Sequence, residues 1–244
     1  MIERDLPNYN GWEDIKNASA QFFYNPTSYF GDINDNNYHY TNSSCTITQE
    51  GTYTNWINCS FDVWYYANSG VWNCTILVND SYGKPGWGYD VINISSLLAL
   101  GLPDFIDYGI VNATEVSGEN ISNVTNFGNV MINLSLSGYG FTPGDGRAMN
   151  CTIGSTKNIS IELEKYNLTN SNPGVIDLAQ FVANYTNLTS APAVKRFNLN
   201  YRQNDTSPYI DDTNTTYWRI YVPLGVAGTC QGNIVFGATV APGT

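Results

Sequence analysis

Asn58-Cys-Ser-Phe-Asp-Val-Trp-Tyr-Tyr-Ala-Asn-Ser-Gly-Val-Trp-Asn-Cys-Thr-Ile-Leu-Val-Asn-Asp-Ser-Tyr-Gly83 is the stretch on which the reading of this chain turns. Taken with a period of two, Cys59, Phe61, Val63 and Tyr65 share one side, and Asn58, Ser60, Asp62 and Trp64 the other. After Ala67-Asn-Ser-Gly70 the alternation resumes. Trp72, Cys74, Ile76 and Val78 form the apolar row, with Asn73, Thr75 and Asn79 opposite. Strand side chains alternate between faces, so two such runs about an Asn/Ser/Gly turn predict a β-hairpin with one buried and one wet face. Each apolar row holds a cysteine, and Asn58, Asn73 and Asn79 each begin an Asn-x-Ser/Thr triplet, the acceptor for N-linked sugar. The hairpin therefore predicts a secreted, oxidised and glycosylated protein.

The triplet recurs along the whole chain, at Asn17, Asn42, Asn58, Asn73, Asn79, Asn93, Asn112, Asn120, Asn123, Asn133, Asn150, Asn158, Asn167, Asn184, Asn187, Asn204 and Asn214. Chance would give about five from the Asn, Ser and Thr content, against the seventeen present. That excess makes each of them a candidate glycosylation site. It also marks each as surface, because an acceptor must be reachable to be used.

A chain of 244 residues is long enough for two domains, each with its own core. Charged residues are 13% of the total and the net charge is −11. So acidic and Lys/Arg-poor a surface repels phosphate, which argues against nucleic acid and against anionic lipid as partners. No apolar run approaches the length that spans a bilayer. Residues 1–11 lack the basic start and apolar centre of a signal peptide, so for a secreted protein either a mature form or a sequence without its leader is expected.

There are five cysteines, Cys45, Cys59, Cys74, Cys151 and Cys230, with no C-x-x-C and only one histidine, His39. A zinc site would need nearly all of them from distant positions, so disulfides are expected. Cys151 and Cys230 most simply pair with each other. Among the first three, Cys45–Cys74 would join two sheets and Cys59–Cys74 would staple neighbouring strands. Cys45–Cys74 is the favoured pairing, with Cys59 left as a buried thiol.

Beyond the hairpin, strands are expected at Ser44–Thr48, Val91–Ile94, Phe105–Val111, Asn120–Phe127, Asn129–Ser137, Met149–Ile153 and Asn158–Glu164. Ser207–Thr216 reads as a polar loop. Tyr217–Pro223 and Cys230–Thr239 read as a closing hairpin about Leu224–Gly228. Val175–Leu188 has a helical look, but its two acceptors favour loop or strand. Short strands at 8–12-residue spacing with turn signals between them describe β-sandwiches and not βαβ units. The apolar octet Ser95–Leu102 marks a boundary, which gives domains over 1–96 and 97–244.

Three stretches resemble known modules. Gly70–Gly83 resembles the last strands of PKD and other immunoglobulin-like domains. Tyr108-Gly109 with Val124–Gly138 is similar to a second immunoglobulin-like type with an N-x-G-N turn. Tyr217–Gly237 is similar to the closing hairpin of secreted archaeal surface proteins. Together they resemble the tandem immunoglobulin-like surface proteins of archaea, which include S-layer and extracellular filament subunits. The resemblance implies two immunoglobulin-like β-sandwich domains in tandem, disulfide-containing, and a cell-surface role.

The residues offer little to a catalyst. A Ser-His-Asp or Cys-His arrangement would have to use His39, set among aromatics in Asn37-Tyr-His-Tyr40 without a nucleophile turn. Asp211 and Asp212 would point to opposite faces of a strand, and Glu162 and Glu164 share a face that Lys165 marks as a solvated edge. No phosphate-binding glycine loop occurs. Asp32, Asn34 and Asn36 have the spacing of a calcium loop, but the following glycine and the distal glutamate are missing, so a plain turn is expected. The reading is therefore an extracellular structural subunit, not an enzyme, with no cofactor. It polymerises with itself by edge-strand pairing through Met1–Asn10 or Ile234–Val240. The alternative is a glycan-binding adhesin using Trp56, Trp64, Trp72, Trp87 and Tyr65-Tyr66.

Overall fold

The computed structural model describes residues 15–51, 54–203 and 211–242. The chain is all-β, built of antiparallel sheets with two disulfides. It divides into two compact units, Met1–Leu97 with Arg202–Ile210, and Leu98–Tyr201 with Asp211–Thr244.

The first unit contains β1 (Ile15–Tyr24), β2 (His39–Asn42), β3 (Thr46–Gln49), β4 (Asn55–Asn58), β5 (Gly70–Asp80) and β6 (Pro85–Ile94). Four of them form one sheet in the order β2-β1-β5-β6, and β3 and β4 form a separate hairpin. The long hairpin is β5–β6, closed by Asp80-Ser-Tyr-Gly-Lys84, where Asp80 Oδ1 accepts from the Tyr82 and Lys84 amides. The expected first arm, Cys59–Tyr65, is not a strand. It belongs to a loop that lies over one face of the sheet, where Phe61 and Ala67 pack with Phe22, Tyr40 and Trp72. Trp72 donates its indole N–H to the Asn68 carbonyl at 2.7 Å, which fixes the loop onto β5. Gly70 enters β5 at φ +130°, where a Cβ would meet the Tyr24 ring at 2.9 Å.

The second unit contains β7 (Leu100–Gly101), β8 (Asn120–Asn126), β9 (Ile132–Tyr139), β10 (Arg147–Ile153), β11 (Asn158–Ser160), β12 (Glu164–Asn167), α1 (Leu178–Asn184), β13 (Thr186–Asn187), β14 (Ala193–Leu199), β15 (Thr213–Ile220), β16 (Ala227–Gln231) and β17 (Asn233–Val240). A five-stranded sheet, β13-β12-β15-β8-β7, faces a three-stranded one, β14-β9-β17. Their inner rows, including Val124, Ile132, Leu134, Leu136, Tyr166 and Trp218, make one apolar core. A third sheet, β11-β10-β16, packs Ala148, Ile159 and Val226 onto Ile220. The arrangement is a β-sandwich.

Several expectations change here. Phe105–Val111 is irregular, and Asn158–Glu164 is interrupted by a 3₁₀ turn over Ile161–Leu163. Thr213–Thr216, expected in a loop, opens β15. The expected closing hairpin does not form, because β15 pairs with β12 and β8, β16 with β10, and β17 with β9. Helix α1 does form. It is started by a capping box in which the Asp177 carboxylate accepts from the Gln180 amide and the Gln180 side chain accepts from the Asp177 amide.

Candidate functional site

Disulfides come first, since they fix the framework. Cys45 is bonded to Cys59, and not to Cys74 as expected; Cys74 is the free thiol, half-buried in β5, with its pKa raised by burial. The β3–β4 register explains it. Thr46 lies opposite Asn58, so the next pair outward is Cys45 and Cys59, with Cα atoms 4.5 Å apart. Cys74 is held away in the four-stranded sheet, between Phe22 on β1 and Asp90 on β6. Cys151 and Cys230 are also direct partners across β10–β16 and are bonded.

Of the candidate glycosylation sites, Asn204 lies outside the described residues. Asn17, Asn58, Asn93, Asn112, Asn123, Asn184, Asn187 and Asn214 are exposed. Asn42, Asn73, Asn79, Asn120, Asn150, Asn158 and Asn167 are half-buried. Asn133 is the exception: it is 8% exposed, and its Oδ1 accepts from the Phe197 and Asn198 amides at 2.8 and 3.0 Å. That carboxamide holds β14 at its irregularity beside β9, so Asn133 has a structural task and its seat has no room for a sugar. Two acceptor pairs face each other directly, Asn17 with Asn79 and Asn150 with Asn158. Asn79 donates to Asn17 Oδ1 at 3.0 Å.

The sheet edges are the other candidate surface. Residues Met1–Asn10 lie outside the described residues. Ile234–Val240 lies in β17, whose one strand partner among the described residues is β9. Its inner row packs Ile234, Phe236 and Ala238 into the core, and Val235 and Val240 are exposed. No charge or proline interrupts its eight residues, which are the usual devices that blunt an edge. By contrast β14, at the other side of the same sheet, carries Lys195 and Arg196 and a register shift between Lys195 and Leu199. In the first unit, β6 is also an edge strand, with Trp87, Tyr89, Val91 and Ile92 exposed.

The aromatic group divides. Trp56, Trp64, Tyr65 and Trp87 are exposed, whereas Trp72 and Tyr66 are buried and belong to the core. Trp64 stacks on Tyr66, which in turn lies 4.5 Å under the Arg202 guanidinium.

His39 is fully buried in β2, not exposed in a loop. Its Nδ1 and Nε2 lie 3.1 Å from Asn34 Oδ1 and Gln21 Oε1, and Phe23 stacks on its ring. Burial lowers its pKa. Asp32 accepts from the Tyr29 amide and the Ser28 hydroxyl, so the Asp32–Asn36 stretch is a loop closed by its own side chains. Among the described residues no group of three metal-ligating side chains comes together, and no helix is long and apolar enough to cross a membrane. Glu162 and Glu164 do not share a face: Glu162 is exposed, and Glu164 is buried under Tyr108, whose hydroxyl donates to Oε1 at 2.8 Å. Asp211 and Asp212 are half-buried, and burial and the neighbouring Asp211 raise the Asp212 pKa.

Sequence reasoning passed over Arg219, which is fully buried on the outer face of the five-stranded sheet. Its guanidinium donates to Tyr185 Oη at 3.0 Å and to the carbonyls of Ser117, Asn172 and Gly174. Tyr185 in turn donates to Glu119.

The chain matches no known family and no curated protein. A solved chain described under "Chaperone-tip adhesin complex is vital for synergistic activation of CFA/I fimbriae biogenesis" is 15% identical over 92% of this chain and 68% of its own, with a TM-score of 0.33. A superposition that loose carries no argument about function.

Proposed function

We propose that this chain is an extracellular structural subunit, N-glycosylated and non-catalytic, that polymerises by edge-strand pairing into a surface filament or lattice of the archaeal type its sequence resembles. The observation that carries the proposal is β17, an uncharged eight-residue edge with an apolar inner row. A strand added there gains main-chain hydrogen bonds for affinity and side-chain alternation for register. Two disulfides and a surface ringed by acceptors support an oxidising, extracellular setting. Head-to-tail contacts of this kind do not close, and so propagate.

Negative-stain imaging of the purified chain tests the proposal. Filaments or sheets are expected, and Val235→Lys, which places a charge on the edge, is expected to leave monomers. Monodisperse particles in the unaltered chain at every concentration would sink it. Glycopeptide mapping tests the other half: sugar is expected at exposed acceptors such as Asn93 and Asn214 and none at Asn133.

A second reading has its own observation, the exposed Trp56, Trp64, Trp87 and Tyr89 of the first unit. As a glycan-binding surface they would stack on sugar rings. Saturable binding on a glycan array, lost on Trp64→Ala or Trp87→Ala, would support that reading.

A further inference from the structure

Lys165 is the one buried lysine among the described residues, at 5% exposure. It lies in β12 directly opposite Asn187 of β13, so the two side chains leave the sheet on the same face. Its Nζ rests against the Asn187 carboxamide oxygen, the one hydrogen-bond acceptor it has among the described residues. Its other neighbour is the Phe181 ring of α1, with the centroid 5.2 Å from Nζ. On the far side Lys165 is in register with Arg219, a second cation.

An ammonium has three hydrogens to satisfy, and this one meets a single oxygen and an aromatic face. Burial accordingly lowers the Lys165 pKa, and the charge of Glu162 offsets this only in part. The free amine that burial favours is a nucleophile, and it is held against an amide carbonyl. The Asn187 triplet also differs from its counterparts. In Asn73-Cys-Thr75 and Asn167-Leu-Thr169 the threonine hydroxyl donates to the asparagine Oδ1, at 3.0 and 3.1 Å. Thr189 instead donates to the Ala191 carbonyl, and the Asn187 oxygen is left to the lysine.

We infer that Lys165 and Asn187 become joined by an isopeptide bond, which the chain forms on itself once folded. The Nζ lone pair attacks Asn187 Cγ; the Nζ–Cγ bond forms and the Cγ–Nδ2 bond breaks. Nδ2 leaves as ammonia, and the extra proton of the lysine departs with it as an ammonium ion. Nothing is oxidised or reduced, and no co-reactant is needed. Asn187 is exposed, so the ammonia passes directly to solvent. The place of the bond gives it a consequence. β13 is two residues long and ends the five-stranded sheet, too short to hold an edge by its own ladder. The bond spans a sequence separation of 22 and closes the segment that carries α1, fastening the cover over Arg219. It also consumes Nδ2, so Asn187 is removed from the sugar acceptors.

Mass spectrometry on the full chain, made in a host without N-glycosylation, tests the inference. The reduced and denatured chain is expected to weigh one ammonia less than its sequence. Proteolysis is expected to yield a branched peptide joining Lys165 to Asn187, with trypsin unable to cut after Lys165. Lys165→Met and Asn187→Ala are each expected to restore the full mass, and thermal melts report whether each variant folds. The unaltered chain decides even where a variant does not fold: a full mass, or separate Lys165 and Asn187 peptides, overturns the assignment. A deficit that persists in Lys165→Met would overturn it too, because the ammonia would then come from another site. So would sugar on Asn187 in the glycosylated chain. None of these outcomes depends on whether the chain polymerises.

Discussion

In the first unit a loop covers one face of the four-stranded sheet, whereas in the second a facing sheet covers one side and a helix the other. The chemistry of the two interiors follows from this. The first is aromatic and locally stapled: Phe22, Tyr40, Phe61 and Trp72 touch under a loop whose start is held by a disulfide of sequence separation 14. The second is largely aliphatic, with Ile132, Leu134 and Leu136 between sheets, and its disulfide spans a separation of 79. Loops can cover a sheet only where polar side chains satisfy their backbone, and Asn37 and Trp72 do this in the first unit, donating to the carbonyls of Tyr66 and Asn68. Beneath the helix of the second unit Arg219 does the same for the Ser117, Asn172 and Gly174 carbonyls.

Removing Arg219 should therefore break the second unit and spare the first. Arg219→Met leaves three carbonyls and the Tyr185–Glu119 pair without their buried cation. The expected cost is about 4–5 kcal/mol, read as loss of amide-exchange protection confined to the second unit. The disulfides give the next contrast. On loop closure alone, removing Cys151–Cys230 by Cys→Ala substitutions costs about 4.5 kcal/mol and removing Cys45–Cys59 about 3 kcal/mol. Equal losses in urea titrations would mean that chain entropy is not what separates them.

Acidity should drive the two units in opposite directions. Glu164 takes its proton near 4.5 when unfolded and near 7 when folded. Its contribution is therefore complete below pH 4.5 and is lost as pH rises to about 7, a change of about 3 kcal/mol. His39 has the opposite sign. Burial lowers its folded pKa below the ordinary 6.5, so its contribution is present above that value and is lost as pH falls beneath it. Between pH 7 and 5 the second unit should thus gain stability while the first loses it, as seen by hydrogen exchange read unit by unit. Glu164→Gln should flatten the first slope and leave the second.

Alternation made β5, β8 and β10 legible, because each is a strand with one face on a core. It misled at Cys59–Tyr65, because a loop lying on a sheet also buries alternate residues and periodicity does not record a hydrogen-bonded partner. The correct pairing was legible: Cys45 and Cys59 are equidistant in sequence from Thr52, midway between the β3 and β4 runs, the spacing of a cross-strand bridge. The final hairpin failed because sandwiches send consecutive strands to different sheets. At Glu164 the 3₁₀ turn over Ile161–Leu163 resets the alternation, placing Glu164 inward and Lys165 outward beneath α1. Nothing in the pattern of Tyr217-Trp-Arg-Ile220 marks Arg219 as buried, since a helix from elsewhere in the chain covers it.

That helix is the smallest and most instructive test. Seven residues make only two turns, too short to persist without tertiary support. Asp177-Leu-Ala-Gln180 starts it, Phe181 is fully buried beneath it, and Tyr185 just beyond its end meets Arg219. Asp177→Ala removes one reciprocal cap and should cost about 1 kcal/mol. If the helix is what keeps water from the guanidinium, the loss should also appear as faster exchange at Ser117, whose carbonyl the guanidinium bonds, and at Ile220, which Ser117 bonds, both away from the cap. A cost confined to the first turn of α1 would instead show that Phe181 and Tyr185 alone hold the cover in place, and that the second unit, like the first, is closed by packed aromatics.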